Sequence, residues 1–119
     1  IQSFEKIRLS ISRQSEEIFV SFYTLLTHNY LEHRDLKFYA NSLFITTTYL
    51  SRIVKQITGR TVMECINELL AMEATRLLKS TALTVEQIAD QLHFATSASF
   101  DKFYKRMRGT TPLSVRRNQ

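Results

Sequence analysis

Two stretches of this chain echo each other at an offset of fifty residues. Tyr49, Leu50, Ser51, Arg52, Ile53, Val54 and Lys55, leading to Gly59 and Thr61, match Ser99, Phe100, Asp101, Lys102, Phe103, Tyr104 and Lys105, leading to Gly109 and Thr111. Upstream, Leu36 to Phe44 matches Val85 to His93 at an offset of forty-nine, with Ala40 on Ala89 and Leu43 on Leu92. The likeness is one of residue class more than identity, but it runs over about twenty-five positions, as a unit used twice would. Each copy reads as a short helix, a tight turn and a second helix carrying a basic residue. That is the pattern of a helix-turn-helix, and two of them suit a reader of successive DNA grooves.

A chain of 119 residues is one domain or two small subdomains sharing an element. Hydrophobic residues make up 44% of it and aromatic ones 11%, enough to bury a core, which excludes disorder. No apolar run approaches the eighteen or so residues of a membrane span. The chain starts at Ile1 with no apolar leader, so it reads as an excerpt of a longer protein without a signal peptide. A single cysteine, Cys65, permits no internal disulfide, which fits the reducing cytoplasm.

The net charge of +5 is more telling once located. Residues 1–33 carry −1, residues 34–60 carry +4, residues 61–99 carry −3 and residues 100–119 carry +5. Positive charge therefore falls on the second half of each copy and not between them. Two separated basic blocks point to two phosphate-facing surfaces.

Two glycines, one proline and no hairpin dipeptides make the chain almost wholly α-helical. Ser15 with Glu16 and Glu17 reads as a capped helix start, followed by Ile18, Phe19, Phe22, Leu25, Leu26 and Tyr30 at helical spacing. Asp35, Thr46 and Thr96 read as caps, Thr61 with Glu64 and Thr84 with Gln87 as capping boxes, and Thr111-Pro112 as a further start. Gly59 and Gly109 mark stops. Between the copies, Val62, Ile66, Leu69, Leu70, Ala74, Leu77 and Leu78 form a stripe on a helix about 28 Å long. Such a rod is long enough to hold two readers about one DNA turn apart. The expected division is 1–14 as a linker or the end of an interdomain helix (Phe4, Ile7 and Ile11 have helical spacing) and 15–60 as the first helix-turn-helix subdomain. Residues 61–80 are then the connecting helix and 81–119 the second subdomain.

Ala40 and Ala89 are small enough for the two helices of each unit to close. Leu43, Ile45, Leu50 and Ile53 are expected in the first core, and Ile88, Leu92, Phe94, Phe100 and Phe103 in the second. What remains faces outward: Thr47, Thr48, Ser51, Arg52 and Lys55 in the first unit, Ser97, Ala98, Asp101, Lys102 and Lys105 in the second. Arg52 is the best base reader, because its planar fork can bond guanine O6 and N7 together. Lys102 does so with less geometric definition. Asp101 can accept from cytosine N4, and the hydroxyls can meet base edges or phosphates. Lys55, Lys105 and Arg106 suit phosphates. A lone basic residue on a helix is ordinarily solvated surface; Arg52 and Lys102 differ in occupying the same place in both copies.

Other chemistries lack their residues. His28, His33 and His93 have no metal-ligand spacing with one another or with Cys65. There is no phosphate loop and no nucleophile–base constellation. The sequence calls for no cofactor, no metal and no catalytic site.

These residues resemble the DNA-binding domain of the AraC/XylS family of bacterial transcription regulators. The resemblance covers about Leu36 to Arg117, with Ser15 to His33 similar to that domain's first helix. It rests on A-x(5)-T-x-x-YLSR-x-x-K-x-x-TG-x-T from Ala40 to Thr61. It rests more specifically on A-x-x-LLKST-x-LTVEQIADQLHF…SF-x-KFYK-x-x-x-G-T-T-P from Ala74 to Pro112. It implies an all-α fold of about seven helices, two helix-turn-helix subdomains joined by a long linker helix, and double-stranded DNA as partner. It further implies base contacts through both recognition helices and a cytoplasmic, nucleoid-associated regulator, often an activator, that touches RNA polymerase. Any homodimer would form through a domain outside this chain. Leu70 stands where the family usually has arginine, and His93 where it usually has the turn glycine. Ala98 and Asp101 make the second reading face shorter and partly acidic, so the first unit is expected to carry most of the specificity. The rival from another class is a helical protein-interaction or dimerisation module, with the stripes at 4–11 and 18–30 meeting a partner.

Overall fold

The computed structural model describes residues 12–118, and among them there are seven helices and no strand. They are α1 Arg13–Asn29, α2 Leu36–Ser42, α3 Thr47–Thr58, α4 Val62–Ser80, α5 Val85–Gln91, α6 Ser97–Arg108 and α7 Pro112–Arg117. The all-α expectation with two helix-turn-helix units holds. Phe4, Ile7 and Ile11, and most of the expected linker, lie outside the described residues.

The echo is kept residue for residue. Helices α2 and α5 are each seven residues long and α3 and α6 each twelve. The offset changes from forty-nine to fifty at Ala95, one extra residue in the second turn. The helix starts follow the sequence signals. Asp35, Thr46, Thr84, Thr96 and Thr111 each accept from a backbone N–H three residues on. Thr61 and Glu64 exchange bonds of 3.1 and 2.8 Å as a capping box, and the backbone N–H of Thr61 holds the Glu64 carboxyl below its usual range. One cap is elsewhere. Ser12, not Ser15, caps α1, accepting from the Ser15 N–H at 3.0 Å, and Ser15 is buried inside the helix. The helix starts one turn earlier than the Ser15-Glu16-Glu17 signal implies, and the amide of Ser15 is satisfied by a serine outside it.

The described chain divides into two compact units inside α4, after Ile66. In unit 1, α1 packs on α2 and α3, and Phe22, Leu26, Tyr39, Ala40, Leu50, Ile53 and Val54 are buried. Leu43 and Ile45, expected in this core, are only half-buried. Tyr39 and Phe22 fill the centre instead, edge to face with ring centroids 5.7 Å apart. The Tyr39 hydroxyl donates to the His33 carbonyl at 2.6 Å. Burial, then the Asp35 charge, push that phenol up to about 12, so it stays a donor. Cys65 is buried as expected, and burial raises its thiol.

In unit 2, Leu70, Ala71, Ala74, Leu77 and Leu78 of α4 are buried together with Ile88, Ala89, Leu92, Phe100, Phe103 and Tyr104. The half-buried Phe94 lies 5.3 Å from Phe100 and 5.2 Å from Phe103, centroid to centroid. Leu70 is thus a core residue here.

Both turns close in the same way. Ile45 N–H donates to the Ala40 carbonyl at 3.0 Å and Phe94 N–H to that of Ala89 at 2.9 Å. Phe44 and His93 N–H donate to Asn41 and Asp90. This is the Schellman arrangement, which places the residue after the C-cap in the left-handed region. Phe44 and His93 sit there at φ 58° and 66° with no glycine to relieve them. The Phe44 ring is 94% exposed, so no burial offsets the strain, on the order of 1–2 kcal/mol. Phe44→Gly is expected to stabilise unit 1 by about 1 kcal/mol, the remainder being lost to unfolded-chain entropy. A higher urea midpoint at unchanged slope would show it; a lower midpoint would mean that the ring contributes packing.

Candidate nucleic-acid interface

The second helix of each unit has one buried face and one free face. On α3, Leu50, Ile53 and Val54 are buried, while Thr48, Arg52 and Lys55 are exposed and Thr47 and Ser51 half-buried. On α6, Phe100, Phe103 and Tyr104 are buried, while Ala98, Asp101, Lys102, Lys105 and Arg106 are exposed and Ser97 half-buried. The spacing 48, 51, 52, 55 follows one side of a helix. The structure therefore brings the predicted residues of each unit onto one face of one helix. Thr47 to Lys55 spans about 12 Å at 1.5 Å per residue, close to the roughly 12 Å width of a major groove.

The electrostatics of the two helix starts are alike. Thr46 and Thr96 cap with neutral hydroxyls, and neither α3 nor α6 has an acid in its first turn. Helices α1, α4 and α5 carry Glu16, Glu64 and Glu86 there. The positive dipole ends of α3 and α6 are thus left uncompensated. Both helices end in glycine at φ 75°.

The phosphate candidates are less uniform. Lys55 Nζ donates to the Gly59 carbonyl at 2.9 Å, folded back on the C-terminal end of its own helix. Arg106 lies over the Phe103 ring, 5.6 Å from its centroid, a cation–π contact. Lys105 is exposed.

Unit 2 also has fastenings that the sequence did not disclose. Arg108, the last residue of α6, pairs with Glu68 of α4 through two bonds of 2.7 and 3.2 Å, and the hydrogen bond to Glu68 holds the guanidinium above its usual range. Thr75 donates to the Ala71 carbonyl at 3.0 Å, which leaves the Tyr104 hydroxyl to donate to Thr75 at 2.6 Å. Arg116 of α7 donates to the carbonyls of Leu77 at 3.3 Å, Leu78 at 3.2 Å, Thr81 at 3.2 Å and Leu83. It thereby gathers carbonyls from the C-terminal end of α4 and the segment that follows it onto one guanidinium. These partners lie 29 to 40 residues apart, too far for any local pattern to link them.

The histidines are spent locally. His28 Nδ1 meets the Thr24 carbonyl at 2.8 Å, His33 stacks on Phe38 and His93 forms the second turn. Among the described residues, no helix is long and apolar enough to cross a membrane.

Comparison with known proteins agrees with this geometry. Over 92 residues the chain is 29% identical to the uncharacterized HTH-type transcriptional regulator YisR of Bacillus subtilis, covering 77% of this chain but 32% of that protein. It is 29% identical over 79 residues to the probable transcription factor PqrA of Proteus vulgaris, covering 66% and 65%. The chain thus spans about a third of YisR's length. Among solved structures, it superposes on the C-terminal domain of AraT, a response regulator from Geobacillus stearothermophilus. The TM-score is 0.80 at 24% identity, over 92% of this chain and 88% of that one. The DNA-binding domain of AdpA, solved with a target DNA, matches with a TM-score of 0.75 at 17% identity, over 83% and 89%. A family model described as a helix-turn-helix domain matches residues 39–118. With two-thirds of its length inside that match and both units built alike, the chain belongs to the AraC/XylS type of helix-turn-helix DNA-binding domains of transcription regulators.

Proposed function

We propose that each unit lays its second helix in a major groove of double-stranded DNA, with the free face of α3 as the principal reader. The supporting observation is the pair of twelve-residue helices of identical register, each with an exposed cation at the same place, Arg52 and Lys102. Arg52 bonds guanine O6 and N7, and Thr47, Thr48 and Ser51 meet neighbouring base edges or phosphates. On α6, Lys102 takes a base or phosphate, Asp101 accepts from cytosine N4, Ala98 offers its methyl to thymine and Ser97 its hydroxyl. Lys105 and Arg106 hold phosphates, and Lys55 does so after leaving the Gly59 carbonyl. The domain division proposed with this reading is 15–60 and 81–119 as the two readers and 61–80 as their connecting helix, with 1–14 as linker. RNA polymerase is the protein partner this reading adds. Activation as output, a cytoplasmic place on the nucleoid and pairing of copies through a domain outside this chain belong to the same reading.

The test is a site selected from random duplex DNA. Arg52→Ala should lose about 10- to 100-fold in affinity, corresponding to about 1–3 kcal/mol, and Lys102→Ala distinctly less. Equal losses, or a larger one for Lys102, would reverse the assignment. Binding should also weaken steeply with salt; a protein-docking module would hardly respond.

A further inference from the structure

The exposed faces of the two bracing helices, α2 and α5, carry opposite charge at matched positions. Lys37 and Asn41 stand four apart on α2, hence on one face, and both are exposed. At the offset of forty-nine their counterparts on α5 are Glu86 and Asp90, also exposed. The helix lengths and the positive-φ turns agree across the units, and each helix is capped by a side chain accepting from the backbone three residues on, the Asp35 carboxylate in unit 1 and the Thr84 hydroxyl in unit 2. The four residues therefore occupy equivalent places, and the difference is chemical: an ammonium and an amide in unit 1, two carboxylates in unit 2.

In a helix-turn-helix the first helix crosses the sugar–phosphate backbone while the second enters the groove. Ala40 and Ala89 are buried at 1% and 2% exposure while Lys37, Asn41, Glu86 and Asp90 stay exposed, so that flank of α2 or α5 is left for the backbone or for solvent. We propose that Lys37 and Asn41 form a phosphate-contact surface of unit 1. In unit 2, Glu86 and Asp90 exclude the same contact, so α5 stands off the backbone and unit 2 holds phosphate through α6 alone. The proposal rests on both units binding duplex DNA and goes beyond it by assigning a backbone contact to one unit and denying it to the other. An ammonium on a phosphate releases condensed counterion. Each such contact adds about 0.9 to the slope of log affinity against log salt, or about eightfold in affinity at roughly 0.1 M. Two carboxylates at that distance repel phosphate within the Debye length of about 10 Å.

The experiment measures binding of this chain to one labelled duplex of arbitrary sequence, about 30 base pairs long, across roughly 50–200 mM salt. Lys37→Ala should lower affinity about eightfold at roughly 0.1 M and flatten the slope by about 0.9. Glu86→Lys should strengthen binding and steepen the slope. Lys79→Ala, an exposed lysine at the end of α4, serves as the control for overall charge. If Lys79→Ala and Lys37→Ala give equal losses, or if Lys37→Ala leaves the slope unchanged, the contact is not there and the proposal fails, while DNA binding itself stands. A wild-type chain with no salt-dependent binding would overturn both. Thermal melts confirm that each variant remains folded, so that any loss is read on native protein.

Discussion

Truncating Phe100 to alanine should cost unit 2 about 4 kcal/mol. The ring is fully buried, with Phe94 and Tyr104 at centroid distances of 5.3 and 6.0 Å, so its loss leaves a cavity between aromatic neighbours. At about 0.05–0.15 kcal/mol per residue, a unit of this size has about 3–8 kcal/mol in all. One substitution therefore removes a large share of it. The amides of α5 and α6 should lose hydrogen-exchange protection while those of α1, α2 and α3 keep theirs. On DNA, the footprint should shorten to a single half-site. Equal loss of protection in both units would show instead that they unfold together.

Replacing Arg116 should be nearly as damaging, at about 3 kcal/mol for alanine, since its bonds are charge-assisted and four carbonyls lose a shared donor. The carbonyls of Leu77 and Leu78 belong to the last turn of α4, where a cation also suits the helix dipole. Those of Thr81 and Leu83 lie in the segment leading to the Thr84 cap of α5. Arg116 therefore fixes where the bracing helix of unit 2 begins. Lysine at 116 should recover less than half of the loss, because a point charge cannot reproduce the planar fork. Urea midpoints of the two variants decide it; a lysine as good as arginine would mean that charge alone matters.

Much of this was legible because the relevant physics is local. Caps, capping boxes and stop glycines depend on residues three or four apart, and they placed the starts of α2 through α7 and the ends of α3 and α6. The opening of α1 was misplaced because Ser12 and Ser15 both look like caps, and only burial of the second tells them apart. Periodicity found the outward faces of α3 and α6, since a helix with one buried side leaves the other free. It overrated Leu43 and Ile45 because a turn residue has no helical face from which to infer burial. Phe44 in the left-handed region was not foreseen, since no glycine marks that turn; only its alignment with His93 hints at it. The Glu68–Arg108, Thr75–Tyr104 and Arg116 contacts depend on chain crossings that no local pattern encodes. Lys55 illustrates a further gap. Its position on the face was readable, but not that its ammonium rests on the Gly59 carbonyl.

The acid-free first turns of α3 and α6 carry a cost to the fold. An aspartate or glutamate there would add about 0.3–1 kcal/mol per helix, and three other helices of this chain have one. Engineering by surface-charge rules would place acids at Thr47, Thr48, Ser97 or Ala98 and would gain thermal stability. If α3 and α6 enter the groove as proposed, the same changes would repel the phosphates near these helix ends. Stability and recognition thus compete at those four positions. Helix α7 starts with the same deficit, capped by Thr111 with no acid in its first turn, so the competition arises only where a helix start also faces phosphate.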